Sequence, residues 1–176
     1  SPVSDREASE LQNVIVFVRL PAARVAAPSR SVIRQTDEEF VPHVVAITRG
    51  STVEFPNDDL VFHNVFSLSR ASTFDLGRYP KGATKAVTFS RPGIVKVYCH
   101  LHSHMSALVR VFDHPHFTIV GADGRVRQCT SLTLFKAEEM AQAVCRNLER
   151  ATFRPAELPD GTKVPTFVTA TINFRM

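Results

Sequence analysis

The chain has 176 residues, of which 44% are hydrophobic, and a net charge of +4 that is scattered along it. This length accommodates one large domain or two small ones with a buried core. The absence of a lysine- and arginine-rich block argues against nucleic-acid binding, and no apolar run is long enough to span a membrane. The polar start, Ser1–Glu7, indicates a mature N-terminus without a signal peptide, or a cut end of the chain.

Residues 1–10 are predicted to form a loose tail, and residues 11–113 to hold short strands with no convincing helix. Strands are predicted where β-branched and apolar residues cluster or alternate with polar ones. They cover residues 13–20, 31–34, 41–47, 52–55, 61–69, 85–89, 93–98 and 107–112. Residues 21–31 lack periodicity and residues 74–82 hold turn-forming residues, so both are predicted to be loops. Many short strands between turns favour an antiparallel β-sandwich.

After residue 113 the pattern changes to strand, strand, helix and strand. The first two strands, residues 117–120 and 126–134, are joined by a predicted hairpin turn at Asp123-Gly124. Apolar residues recur at spacings of three and four in residues 136–152, which predicts a helix. Residues 164–174 alternate like a strand. We therefore expect a small α+β domain over residues 114–176.

The densest set of metal donors lies between positions 97 and 105, and one further histidine, His63, lies upstream. The donors of this stretch are Cys99, His100, His102, His104 and Met105. One thiolate, two imidazoles and a weak thioether suit copper that alternates between Cu(I) and Cu(II). Zinc more often has two thiolates, three histidines or a carboxylate in place of the methionine.

Spacing indicates which histidine of the stretch binds the ion. Cys99, His102 and Met105 recur at every third residue, so a short loop can bring all three to one ion. His100 and His104 fall between them and are expected to be exposed loop residues; a role in copper recruitment or partner docking is the alternative. A buried cysteine is usually a plain apolar residue, but four donors in one frame favour a copper site.

These residues resemble the copper loop of blue-copper proteins of the cupredoxin family, in the short form that amicyanin has. The resemblance covers about residues 11–113 and extends to other segments in order. These are Phe55-Pro56-Asn57, His63-Asn64, Phe74-Asp75-Leu76-Gly77 and Pro92-Gly93. It implies a Greek-key β-sandwich and one copper ion held by His63, Cys99 and His102, with Met105 on the axis. It also implies that Asn64 braces the two ligand loops and tunes the potential.

Residues 115–176 resemble the C-terminal domain of the TonB family. The supporting segments are Asp123-Gly124-Arg125-Val126, Phe153-Arg154-Pro155-Ala156, residues 160–165 and residues 168–174. The resemblance implies a sheet edge that binds partner peptides in the periplasm. The membrane helix and Pro-rich spacer of a full TonB protein are missing, so a packing or dimerisation module is the alternative.

The two remaining cysteines, Cys129 and Cys145, lie in this second half, and cysteines at these positions occur in some TonB-like domains. A disulfide between them would indicate an oxidising compartment. The alternative is two unrelated buried thiols.

The resemblances imply a periplasmic electron carrier that is not an enzyme. Redox partners would dock near His102 on an apolar patch made by Leu101, Met105 and Phe66, and residues 115–176 would bind a periplasmic or membrane protein. The alternative is a copper-binding or copper-delivery protein of copper homeostasis, docking to a membrane or transporter partner, with His100 and His104 as extra handles. A weaker alternative is an interaction protein whose copper site is vestigial.

Overall fold

The computed structural model of the chain describes residues 15–17, 27–114, 117–120, 146, 150, 156–157, 163–164 and 167–168. The described residues are mainly β, as predicted. The strands are β1 (Ile15–Phe17), β2 (Arg30–Val32), β3 (Arg34–Thr36), β4 (Glu39–Val41), β5 (Val44–Thr48), β6 (Thr52–Pro56), β7 (His63–Ser69), β8 (Ser72–Tyr79), β9 (Thr84–Thr88), β10 (Gly93–Tyr98), β11 (Ser106–Phe112), β12 (Phe117–Ile119), β13 (Ala156–Glu157), β14 (Lys163–Val164) and β15 (Phe167–Val168).

The chain divides into two compact units. One is Arg24–Pro115, and the other combines Ser1–Ala23 with His116–Met176. The predicted boundaries, residues 11–113 and 114–176, differ from these units at the N-terminus. Strand β1 pairs antiparallel with β12 and parallel with β15, so its backbone hydrogen bonds belong to the C-terminal unit. A β-branched run predicts a strand but carries no information about which sheet the strand joins.

The unit of residues 24–115 contains a five-stranded sheet in the order β5-β11-β10-β7-β8 and a three-stranded sheet in the order β2-β6-β9. Their inward-facing side chains form one buried cluster. It includes Val97 and Val109 from the first sheet, Phe55 from the second sheet, and Phe89, which directly follows β9. Two sheets that share one core pack face to face as a sandwich.

Residues 74–82 were predicted to be a loop, but the structure extends β8 through Tyr79. Phe74 and Leu76 are half-buried and alternate with exposed Asp75 and Gly77, which is the burial pattern of a strand with one face on the core. The turn-forming types at Gly77 and Pro80 hid this alternation, because tertiary pairing with β7 overrides local propensity.

A hairpin of β3 and β4 was also not predicted. Its two-residue turn consists of Asp37 and Glu38, with φ of 53° and 57°. This left-handed conformation costs a residue with a Cβ about 1 kcal/mol, so glycine or asparagine is the usual signal for such a turn. The hairpin therefore depends on contacts made elsewhere in the fold.

In the C-terminal unit, β12, β1 and β15 form one sheet, and β13 pairs antiparallel with β14. Arg146 and Arg150 are helical and exposed, but the other residues of the predicted helix 136–152 lie outside the described residues. The α+β character of this unit therefore stays a prediction. Within the described residues, no helix has the length and apolar character needed to cross a bilayer.

Gly93, the first residue of β10, leaves no room for a side chain. Its φ is 149°, and an added Cβ would lie 2.7 Å from the Cβ of Ala71. We expect Gly93→Ala to lower the free energy of unfolding by about 1–3 kcal/mol because the core must shift. Denaturant titration of Gly93→Ala, Ala71→Gly and the double variant measures this. The double variant should recover part of the loss, and a Gly93→Ala change below about 0.5 kcal/mol would contradict the clash.

Candidate metal centre

Three predicted ligands converge at the ends of two adjacent inner strands, β7 and β10, of the five-stranded sheet. His63 is the first residue of β7, and Cys99 directly follows β10. Because β7 and β10 are antiparallel neighbours, with Tyr98 opposite Phe66, the start of one strand lies beside the end of the other. The loop that joins β10 to β11 then brings His102 to the same place.

The three donor atoms form a nearly isosceles triangle. The Sγ of Cys99 lies 3.9 Å from the Nδ1 of His63 and 3.9 Å from the Nδ1 of His102, and the two Nδ1 atoms are 3.1 Å apart. The centre of this triangle is about 2.1 Å from all three atoms, which matches the lengths of metal–nitrogen and metal–sulfur bonds in proteins, about 2.0–2.3 Å. The side chains are therefore arranged as a site for a single ion.

The charge pattern also fits a cation. The Nε2 of His63 lies 2.7 Å from the Asp59 carboxylate, which is a hydrogen-bond acceptor, so the tautomer that fits this contact has its proton on Nε2 and a lone pair on Nδ1. The Nδ1 of His63 lies 3.1 Å from the Nδ1 of His102. Two nitrogen atoms this close need a proton or a cation between them. His63 and Cys99 are buried, whereas the side chain of His102 is 22% exposed. The site is thus shielded on one side and open to solvent through His102.

The loop that carries Cys99 closes on itself through Met105. The N–H of Met105 donates to the carbonyl of His102 (3.0 Å), and its carbonyl accepts from the N–H of Cys99 (3.4 Å). Met105 is buried in the same apolar cluster as Cys99. Its role as the axial ligand stays a prediction.

Asn64 links the first ligand strand to this loop. Its Oδ1 accepts from the N–H of His100 (3.4 Å), and its Nδ2 donates to Asp75 (2.7 Å). Hydrogen bonds from the N–H groups of Gly77 and Asn64 hold the pKa of Asp75 below its ordinary value. The predicted bracing role thus has a structural counterpart in the side chain of Asn64.

Asp59 contacts the site, although it is not among the residues predicted from the sequence. Its Oδ2 accepts a hydrogen bond of 2.7 Å from the Nε2 of His63. Burial acts to raise the pKa of Asp59, but hydrogen bonds from Glu38, His63 and Asp37 outweigh it, so the pKa lies below its ordinary value. An acidic residue four positions before His63 was the available signal, but it lies in a turn cluster with Asp58, a residue of the same type.

His100 and His104 are exposed, but neither is isolated. The His100 ring stacks on Phe66 with centroids 3.7 Å apart and lies 3.9 Å from Asp75. The Nε2 of His104 is 3.7 Å from Glu38, whose other oxygen is 4.0 Å from the Nε2 of His102. The rim of the site therefore carries imidazole and carboxylate groups.

The predicted apolar patch around His102 needs correction. Met105 is buried, so it cannot be part of a docking surface, and Phe66 is half-buried with His100 stacked on it. Leu101 is exposed, as expected. Leu60 and Phe62, which precede His63 in the chain, are also exposed, at 86% and 55%.

Both cysteines of the predicted disulfide, Cys129 and Cys145, lie outside the described residues. Among the described residues, Cys99 is a free, buried cysteine. The segments that resemble the TonB family also lie mostly outside the described residues, so their predicted role stays a prediction.

No family model and no curated protein matches the chain. It is similar to the Cu-containing nitrite reductase (NirK) from Thermus scotoductus SA-01, with 22% identity and a TM-score of 0.46 over 57% of this chain and 28% of that one. It is also similar to an amicyanin variant in its Cu(I) form, with 19% identity and a TM-score of 0.44 over 46% of this chain and 80% of that one. A second amicyanin variant, in its reduced form, is 20% identical to this chain, with a TM-score of 0.44 over 52% of this chain and 87% of that one.

At this level of similarity, the nature of the metal follows from the chain's own donor atoms. Two imidazole nitrogens and one cysteine sulfur meet at the site, and no fourth histidine, cysteine, aspartate or glutamate among the described residues joins them. Zinc sites of proteins usually have four such ligands or water, whereas a trigonal His2Cys set with a weak thioether is typical of copper. The donor set therefore fits one copper ion.

Proposed function

We propose that the protein is a type 1 copper protein that passes single electrons between redox partners in the periplasm, rather than an enzyme. The triangle of His63 Nδ1, His102 Nδ1 and Cys99 Sγ supports this proposal most directly. Bound copper would supply one-electron oxidation and reduction between Cu(I) and Cu(II). His63, Cys99, His102 and Met105 would hold the ion.

The described part of the protein favours transfer of electrons at the surface beside His102. The imidazole of His102 belongs to the site and is also partly exposed. Leu60, Phe62 and Leu101 expose apolar side chains next to the ligand residues in sequence. We propose that this surface receives a redox partner, since exposed apolar side chains grouped around a site are a common basis for protein docking.

The periplasmic location and the binding role of residues 115–176 are parts of the same proposal. Their support is the pair Cys129 and Cys145 and the resemblance of this segment to TonB C-terminal domains. A disulfide between these cysteines would require an oxidising compartment.

The test is a visible spectrum of the full chain after one equivalent of Cu(II). We expect an intense thiolate-to-copper charge-transfer band that ascorbate bleaches and an oxidant restores, with copper retained over repeated cycles. A colourless protein would contradict a type 1 site. Release of the ion on reduction would contradict electron transfer.

Copper delivery is the second candidate function, and the rim of the site favours it. His104 and Glu38 are exposed and lie 3.7 Å apart beside His102, so they offer donor atoms on the way to the buried ligands. A delivery protein should lose Cu(I) to a chelator of moderate affinity within minutes. An electron carrier should keep its copper under the same conditions.

A further inference from the structure

The carboxylate of Asp59 accepts three hydrogen bonds beside the site. Its Oδ2 accepts from the Nε2 of His63 (2.7 Å) and from the N–H of Glu38 (3.0 Å), and its Oδ1 accepts from the N–H of Asp37 (2.7 Å). The Asp59 side chain is only 13% exposed. One carboxylate thus bonds both to a ligand ring and to the tip of the hairpin formed by β3 and β4.

We propose that Asp59 is a positioning residue, which holds the proton of His63 on Nε2, aims Nδ1 at Cys99, and fastens the Asp37–Glu38 turn beside the site. This proposal rests on the proposed copper function for its purpose, but the orientation of His63 can be measured without copper. The rest of the structure supports each half of the assignment.

The first half follows from the surroundings of His63. The ring is fully buried, so the Asp59 carboxylate, rather than bulk water, accepts the hydrogen bond from its Nε2–H. With the proton on Nε2, the Nδ1 lone pair points toward the Nδ1 of His102 and the Sγ of Cys99. A carboxylate behind a ligating histidine fixes the tautomer and the ring orientation in this way.

The second half follows from the conformation of the turn. Asp37 and Glu38 both have positive φ, which residues with a Cβ rarely adopt. The two N–H groups of this turn are satisfied by Asp59, so the same carboxylate stabilises the turn. Because Glu38 lies 4.0 Å from the Nε2 of His102, the turn places a second carboxylate behind the second ligand ring.

Asp58 provides a matched control. It is the neighbour of Asp59 in the chain and pairs with Arg34 of the same hairpin (2.8 Å), but it makes no described bond to His63. Asp58→Ala therefore removes a carboxylate and loosens the hairpin without touching the ligand ring. Any effect of Asp59→Ala that exceeds that of Asp58→Ala belongs to the contacts specific to Asp59.

The first measurement is the ¹⁵N NMR spectrum of the histidine side chains in the copper-free full chain. In the wild type and in Asp58→Ala, we expect His63 to be in the Nε2–H tautomer. In Asp59→Ala, we expect a mixture of tautomers. A wild-type His63 with its proton on Nδ1 would overturn the proposal, whatever the variants do, and so would an unchanged tautomer in Asp59→Ala.

The second measurement is copper affinity, by competition of each protein with a Cu(I) chelator. Asp59→Ala should bind about 10–100-fold more weakly than the wild type, the usual loss when the partner behind a ligating histidine is removed, and its charge-transfer band should shift. Asp58→Ala should change little. Equal affinities of the two variants would overturn the proposal. If the wild type bound no copper, the proposed function would fail, while the tautomer comparison would still decide the role of Asp59.

Asp59→Asn separates the two halves. Its amide keeps one oxygen for the Nε2–H of His63, but its NH₂ group must face an N–H of the turn. We expect the tautomer to be retained and the amide proton of Asp37, whose acceptor is Oδ1, to exchange faster with solvent. The amide proton of Glu38 keeps the oxygen that it shares with His63. Unchanged exchange at Asp37 would contradict the fastening of the turn.

Discussion

Replacing Cys99 with serine is expected to abolish the charge-transfer band and to weaken Cu(I) binding by more than a hundredfold. Removal of an outer partner of a ligand already lowers metal affinity by about 10–100-fold, and this change removes a ligand atom itself. The thiolate is also the soft donor that favours Cu(I). Visible spectra and chelator competition measure the two effects.

The stability of the copper-free variant separates lost ligation from lost folding. Cys99 is 4% exposed, so a serine hydroxyl there is poorly solvated, and we expect a loss of about 1–3 kcal/mol in the free energy of unfolding. His104→Gln is the matched control, because it alters an exposed imidazole of the same loop. It should keep the band. Colour that survives in Cys99→Ser and vanishes in His104→Gln would move the site to the rim histidines.

The sequence predicts the donor cluster well because the donors carry their chemistry in their residue types. The interval Cys99-x-x-His102-x-x-Met105 lies within one short loop, and His63 begins a strand that the β pattern also predicts. Once β7 and β10 pair antiparallel, the ends that bear His63 and Cys99 must meet. The structure brings His63, Cys99 and His102 within bonding reach of one ion. It buries Met105 in the same apolar cluster as Cys99, and the role of Met105 as a ligand stays a prediction.

The residues that support the donor cluster could not be predicted from the sequence, for physical reasons. The Asp37–Glu38 turn has positive φ at two residues that rarely adopt it, and the carboxylate of Asp59 satisfies both of its N–H groups. Asp59 itself lies in a turn, where a spacing of four does not fix the direction of a side chain as it does in a helix. Local residue type thus predicts donors, whereas long-range hydrogen bonds decide what supports them.

The same argument applies to β1 and β8. The pattern of residues 13–20 predicts a strand but not its partners, and the structure pairs Ile15–Phe17 with strands from the other end of the chain. Gly77 and Pro80 suggested a loop, but pairing with β7 extends the strand through Tyr79. In both cases the sequence pattern does not show which strand pairs with the segment.

Asn57→Ala is expected to destabilise the protein and to disorganise the segment that carries His63. Asn57 is fully buried, and its Nδ2 donates to the carbonyls of Val61 (2.9 Å) and Tyr79 (3.1 Å), while its Oδ1 accepts from the N–H of Asp59 (2.9 Å). Since each buried group left without a partner costs about 1–3 kcal/mol, we expect a loss of about 2–4 kcal/mol in the free energy of unfolding. Denaturant titration of the copper-free protein measures it.

Copper affinity should fall in the same variant, because Asn57 shapes the turn from which Asp59 reaches His63. Asn57→Asp is the matched control: it keeps the volume and the acceptor for the Asp59 N–H, but replaces the donor by an oxygen that faces two carbonyls. We expect it to be at least as unstable as Asn57→Ala, since the donor bonds rather than the volume support the segment. A stable Asn57→Asp, or an Asn57→Ala protein with wild-type copper affinity, would show that the conformation of residues 57–63 is maintained by the strands on either side.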